Sequence, residues 1–93
     1  MRLGSFAVKP GELEALRTTY NEICAPLVRA AAGNVDCFLL EAAAPGDIIA
    51  CTMWRTEDDA VRYESSGTAQ EVVAKVRQHF AGPPKLAAYR VVR

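Results

Sequence analysis

Apolar positions along the chain change period several times, and each change marks an element. Leu3 to Val8 reads as a first strand that Lys9-Pro10-Gly11 ends, with Pro10 suited to a first helical turn. From Glu12 the period becomes helical. Leu13, Leu16, Tyr20, Ile23 and Leu27 are spaced 3, 4, 3 and 4 apart and form one stripe. Pro26 falls inside this segment. It removes the hydrogen bond to the Glu22 carbonyl and crowds that turn, so a kink or break is expected there. Gly33-Asn34 is a C-terminal stop. Val35–Glu41 and Ile48–Trp54 are two further strands, joined at 43–47 by a Pro-Gly turn of type II form. Thr56 is an N-cap, with Glu57, Asp58 and Asp59 favourably placed at the positive end of the helix that follows to about Ser65. After the interruption at Ser65-Ser66-Gly67, Thr68 and Glu71 have capping-box spacing. Ala69, Val72, Val73, Val76 and Phe80 make the next stripe. Gly82-Pro83-Pro84 ends it, and Lys85–Val92 is the last strand.

The order strand, helix, strand, strand, broken helix, strand is the split β-α-β arrangement. The expected fold is α+β: a ferredoxin-like β-α-β-β-α-β sandwich with a four-stranded antiparallel sheet and the helices on one face. The 93 residues leave room for a single domain, 1–93. Phe38-Leu39-Leu40 and Ile48-Ile49-Ala50-Cys51 do not alternate as strands with one wet face should. At 51% apolar, the chain has more apolar material than one small core holds. The central strands therefore read as buried on both faces. A second copy packed on the free sheet face is the simplest cover, so a homodimer is expected.

Eleven basic and eleven acidic residues cancel. The chain lacks the broad positive field that holds a phosphate backbone, so nucleic-acid binding is not expected. No apolar run approaches the ~20 residues of a membrane span, and the first ten residues hold too short an apolar core for a signal peptide. The expectation is a soluble, cytoplasmic protein without a membrane partner. Cys24, Cys37 and Cys51 form no Cys-x-x-Cys pair, and His79 is the lone histidine, so no metal site is expected. Three thiols without a leader read as reduced and buried, although a hairpin could bring Cys37 and Cys51 together.

In its order of elements, and most specifically in Met53-Trp-Arg-Thr-Glu-Asp-Asp-Ala-Val-Arg-Tyr63, the chain resembles the antibiotic-biosynthesis monooxygenase (ABM) family of the dimeric α/β-barrel superfamily. Members typically end the third strand in a Trp and then start a helix with an acidic run. A broken helix follows, as at Ser65-Ser66-Gly67-Thr68, and the segment from Pro83 to Val92 looks like the family's closing strand. The resemblance covers about residues 2–92. It implies a dimeric α/β barrel and oxygenation of phenols, quinols or anthrone-type polyketides without metal, flavin or haem. A deprotonated phenol or anthrone can itself give an electron to dioxygen. The protein then has to supply an apolar pocket, a hydrogen-bonding group and exclusion of water. Many members carry Glu two residues before the Trp and His nine residues after it. Here these are Thr52 and Tyr63, which weakens a quinol oxygenase reading. Val72 and Val73 stand where haem-degrading relatives place a His.

The candidate catalytic residues are Trp54, Tyr63 and His79. Trp54 ends a central strand, where it either covers the sheet end as core or stacks on an aromatic substrate. Tyr63 shares a helical face with Ala60 and is either a boundary residue or a pocket hydroxyl. His79 falls at the solvent edge of its stripe and is the one side chain whose ordinary titration range is near neutrality. Tyr20, Phe38 and Arg90 are candidate substrate-binding residues. Arg90 and Tyr89 point to opposite faces of the last strand, while Arg2 and Lys85 read as surface charges. The expected function is a cofactor-independent monooxygenase-like enzyme acting on an aromatic small molecule. The alternatives are a non-catalytic binding or accessory module on the same barrel, and an isomerase or cyclase working by proton transfer.

Overall fold

A computed structural model describes residues 1–42, 47–90 and 92. Strand β1 (Arg2–Ala7) leads into helix α1 (Leu13–Thr19), a π-helical turn (Tyr20–Cys24) and helix α2 (Ala25–Arg29). Strands β2 (Asn34–Glu41) and β3 (Asp47–Trp54) follow, then α3 (Glu57–Glu64), α4 (Gly67–Val76), a 3-10 turn (Arg77–His79) and β4 (Lys85–Ala88). The sheet is antiparallel in the order β2-β3-β1-β4. The expected α+β, ferredoxin-like fold is thus formed. The Pro-Gly turn at 43–46 lies outside the described residues.

The register assigns the two faces. Arg2, Gly4 and Phe6 of β1 stand opposite Thr52, Ala50 and Ile48 of β3, and Cys37 and Leu39 of β2 stand opposite Thr52 and Ala50. Phe6, Ile48 and Cys37 belong to the core with Leu16, Tyr20, Val28, Val72 and Val76, so this face carries the helices. The other face bears Leu3, Phe38, Leu40, Ile49, Cys51 and Met53. Cys51 is fully buried by its neighbours yet lies outside the helix-side core, and Leu40 is exposed. Because Cys37 pairs with Thr52 and Cys51 with Phe38, the two thiols point to opposite faces and cannot bridge.

Four local expectations are corrected. Pro26 does not end the helical run, whose irregularity falls just before it, in the π-helical turn Tyr20–Cys24. It enters at the first turn of α2, where its missing N–H costs least, and the Ala25 N–H reaches back five residues to the Tyr20 carbonyl. This wide turn shifts the buried stripe. Beyond Tyr20 the buried positions are Cys24, Ala25 and Val28, while Ile23 is exposed and Leu27 half-buried. The second correction is the start of α4, which begins at Gly67 behind Ser66. The Ser66 hydroxyl donates to the Tyr63 carbonyl at 2.6 Å, so the Thr68–Glu71 box does not form. Third, β4 is shorter than 85–92. It ends at Ala88, and beyond it the Tyr89 N–H donates to the Met1 carbonyl at 2.7 Å.

His79 is the fourth correction. The tight turn after Val76 rotates it inward, so it is buried instead of lying at the solvent edge. Its Nδ1 lies 3.0 Å from Glu12 Oε1, and its carbonyl accepts from the Lys9 N–H at 2.9 Å. Other local readings hold. The Thr56 hydroxyl accepts from the Asp59 N–H at 3.1 Å and caps α3 as expected.

Candidate functional site

Between the helix-bearing sheet face and the helices lies a cavity of about 410 Å³. Its floor comes from the small residues Gly4 and Ala50, and its walls from Val28, Val72 and Ala69. A side chain at position 4 would press on Leu86, whose Cδ2 lies 3.1 Å from where a Cβ would stand. Absence of bulk on β1 thus helps keep the space open. The lining is mostly apolar, with a few polar groups set into it: Tyr20, Tyr63, Thr52, Arg2 and Glu64. That combination is typical of small-molecule sites.

Three elements deliver these groups. Tyr20 comes from the π-helical turn and is buried. Tyr63 comes from the last turn of α3 and is half-buried. Thr52 and Arg2 are opposed on neighbouring strands. Trp54 stacks on Tyr63 with ring centroids 4.8 Å apart, and its indole Nε1–H donates to Thr52 Oγ1 at 2.9 Å. The family-like Trp is therefore tied to both the strand residue two before it and the helix residue nine after it.

Burial, followed by the neighbouring cysteine side chains, pushes the Tyr63 phenol up to about 12. The same causes push the Tyr20 phenol upward, with burial again the largest. Both tyrosines thus stay protonated at neutral pH. Each can donate a hydrogen bond to a bound oxygen and accept one at its own oxygen. Arg2 Nη2 donates to Glu57 Oε1 at 2.6 Å, Nη1 donates to Glu57 Oε2 at 3.2 Å, and Nε reaches both Glu64 oxygens at 3.2 Å. The bond to Glu57 is the largest cause raising the already high Arg2 pKa, and its counterpart lowers that of Glu57. Among the described residues, no group of three or more His, Cys, Asp or Glu side chains gathers as a metal-ligand set. No described helix is long and apolar enough to cross a membrane.

The structure brings Tyr20 and Tyr63 together in the cavity and puts Trp54 behind Tyr63. Arg90 lies beyond β4 and borders a separate hollow with Trp54, Met53 and Glu57. Phe38 pairs with Cys51 on the outer sheet face, away from the cavity. His79 sits at the opposite end of β1, against Glu12. Sequence reasoning assigned Arg2 to the surface, yet its side chain is only 15% exposed and lines the cavity. Strand alternation was the available signal, since Arg2 has the same parity as the core residue Phe6.

Comparison with known proteins follows this geometry. The family model described as "Antibiotic biosynthesis monooxygenase" matches residues 1–75. No curated protein matches the chain. Among solved structures, a Bordetella bronchiseptica protein provisionally named an antibiotic biosynthesis monooxygenase is 28% identical. The alignment covers 98% of this chain and 95% of that one, with a TM-score of 0.79. A Nitrosomonas europaea protein provisionally given the same name is 18% identical over 99% and 97% of the two chains, with a TM-score of 0.78. Rv0793 from Mycobacterium tuberculosis is 20% identical over 99% and 93%, with a TM-score of 0.76. The last two show the fold alone. The family model spans β1 through most of α4, including the Trp54–Tyr63 pair and the strands that floor the cavity, and the chain belongs to the antibiotic biosynthesis monooxygenase family.

Proposed function

We propose that the protein is a cofactor-independent monooxygenase-like enzyme acting on an aromatic, quinol or polyketide-type small molecule held in the cavity beside Tyr63. The carrying observation is the cavity itself: about 410 Å³, largely apolar, with two protonated phenols and one guanidinium set into its wall. An aromatic substrate buries its rings against Val28 and Val72, and its oxygens take hydrogen bonds from Tyr63 and Tyr20. For an anthrone, the ionised substrate gives electrons to dioxygen. The reacting CH2 becomes C=O with one oxygen atom, and the second oxygen leaves with both hydrogens as water. Apolar walls exclude bulk water from the intermediate. Trp54 supports the site through Tyr63 and Thr52. His79, in contact with Glu12 far along β1, is assigned to architecture, and Arg90 to the neighbouring hollow.

We further propose that residues 1–93 act as one domain and work as a homodimer in the cytoplasm, with the outer sheet face as the seam. The apolar side chains of that face, Phe38 and Leu40 among them, support this arrangement. Sedimentation at micromolar concentration tests it. A mass of two chains is expected, and a mass of one chain removes the dimer.

Anaerobic mixing with a quinol or an anthrone, followed by oxygen uptake, tests the enzyme. Uptake above the protein-free rate is expected, and it should fall in Trp54→Ala. Uptake equal to the protein-free rate across a panel sinks the enzymatic reading. A second reading, a binding module without chemistry, draws on Thr52 at the position where many relatives carry Glu. It predicts ligand-induced melting shifts without turnover. A proton-transfer isomerase or cyclase predicts turnover without oxygen.

A further inference from the structure

Tyr63 borders two spaces. On one side lies the cavity between sheet and helices, and on the other a second hollow of about 340 Å³ between the end of α2 and the α3–α4 junction. Among the described residues, Tyr63 is the one side chain common to both linings. Elsewhere the two spaces divide consecutive residues between them. Val28 and Ala69 line the inner cavity, while Leu27 and Thr68 line the outer hollow. Consecutive residues of a helix point in different directions. Helices α2 and α4 therefore frame a common wall, and the Tyr63 ring fills the gap in it. Trp54 stacks on that ring at 4.8 Å and fixes its place. Beyond the ring, Ala30, Ala31 and Ala32 keep the outer hollow wide. The inner cavity is reached along β4, where Leu86 lines it and is 79% exposed, so a ligand can enter without displacing Tyr63.

We propose that Tyr63 is a specificity-determining residue: its ring is the partition that ends the cavity and excludes ligands carrying bulk beside the oxygen that Tyr63 binds. This rests on the aromatic-ligand reading above and adds which ligands the site admits. Because the ligand oxygen takes its hydrogen bond from Tyr63, the excluded bulk lies next to that oxygen. A substituent at the far end of the ligand points away from the partition and is not selected against by it. With the ring removed, the two spaces run together. The outer hollow, apolar along Leu27 and the three alanines, then accepts a further ring. The wall needs the bulk of the ring and not its hydroxyl, so Phe serves there as Tyr does.

Fluorescence titration of the intact protein with three probes of one body tests the proposal: 2-naphthol, 3-phenyl-2-naphthol with the added ring beside the hydroxyl, and 6-phenyl-2-naphthol with it at the far end. The parent is expected to bind the 3-phenyl probe more weakly than the 6-phenyl probe. Tyr63→Ala should raise the affinity for the 3-phenyl probe relative to 2-naphthol by about tenfold or more, as burial of an added ring allows. The same ratio for the 6-phenyl probe should not move. Tyr63→Phe should keep both parental ratios, since all three probes lose the Tyr63 hydroxyl alike. Tyr63→Leu, which keeps apolar bulk against Trp54, should move the 3-phenyl ratio in the same direction by less, with folding checked by circular dichroism. If the 3-phenyl ratio stays at its parental value in both Tyr63→Ala and Tyr63→Leu, the partition is overturned and the aromatic site stands. An equal rise for both phenyl probes also overturns it, because that is general loosening. If 2-naphthol does not bind the parent, the aromatic-ligand reading falls and the partition with it.

Discussion

The two ends of the central strand β1 are packed to opposite results. At one end, Phe6 lies on Phe80 with ring centroids 4.1 Å apart, and the chain is laced shut by the Val8–Phe80 bridge and the 2.8 Å bond from the Ala81 N–H to the Ala7 carbonyl. His79 and Glu12 complete this closed end, joined at 3.0 Å. At the other end, Arg2 and Gly4 leave the sheet bare beneath α3 and α4, and aromatic rings stand around a cavity instead of filling it. One end holds the fold together and the other holds space. Substitutions at the closed end should therefore cost stability with little change in ligand affinity, and the reverse should hold beside the cavity.

The largest expected effect at the closed end is Phe6→Ala. Removing a buried ring that packs on another should destabilise the protein by about 3–5 kcal/mol. Urea unfolding measures this, and unaltered oxygen uptake by the folded fraction completes the expectation. Outside the cavity lining, in the turn before β2, Gly33→Ala is nearly as severe. Gly33 has φ +83°, and a Cβ there would stand 2.2 Å from Asp59 Cγ, which is itself held by Arg62. Left-handed strain of about 1–2 kcal/mol adds to overpacking of about 1–3 kcal/mol. A melting temperature within a degree of the parent would refute the close approach.

A smaller loss, roughly 1 kcal/mol, is expected for His79→Gln, because the partly hydrated Glu12 loses its partner. If that variant instead loses oxygen uptake at full stability, His79 belongs to the chemistry and the division between the two ends breaks. The smallest effect sits in the alkaline limb. A Tyr63 phenol raised to about 12 favours the folded state fully below pH 10. That contribution is lost as pH rises from about 10, where the unfolded phenol ionises, through 12. Difference absorbance between parent and Tyr63→Phe should place this phenolate near 12, and titration near 10 would show an open hydroxyl.

These contrasts also separate what the sequence reveals from what it hides. Strands, turn residues and the Thr56 cap are local, and single residues with strong preferences announce them. That β2 and β3 carry apolar side chains on both faces was visible in Phe38-Leu39-Leu40, which does not alternate, although the outer-face Leu40 stands exposed. The wide turn at Tyr20–Cys24 was not visible, because a helix with one extra residue in a turn has the composition of any other helix. Its effect, moving Cys24 and Val28 inward at the expense of Ile23 and Leu27, depends on what the helix packs against. The inward turn of His79 has the same kind of origin, since its partners Glu12 and Lys9 are distant in sequence, whereas the failed box at Thr68 follows from the local bond of the Ser66 hydroxyl to the Tyr63 carbonyl. Arg2 was legible by parity with Phe6, but an arginine near a strand end reads as surface until the opposite helices are known.

The strand order β2-β3-β1-β4 also governs when the sheet can form. Strand β1 is made first, and β4, which covers one of its edges, is made last, so Arg2 waits for Ala88. During synthesis the hairpin β2-β3 and the pairing of β1 with β3 can form early, while the other edge of β1 stays open. Pairings between distant residues are slow to close. A nascent or truncated chain lacking residues 85–88 would present an unpaired strand edge beside an uncovered cavity, a surface prone to pair with its own kind.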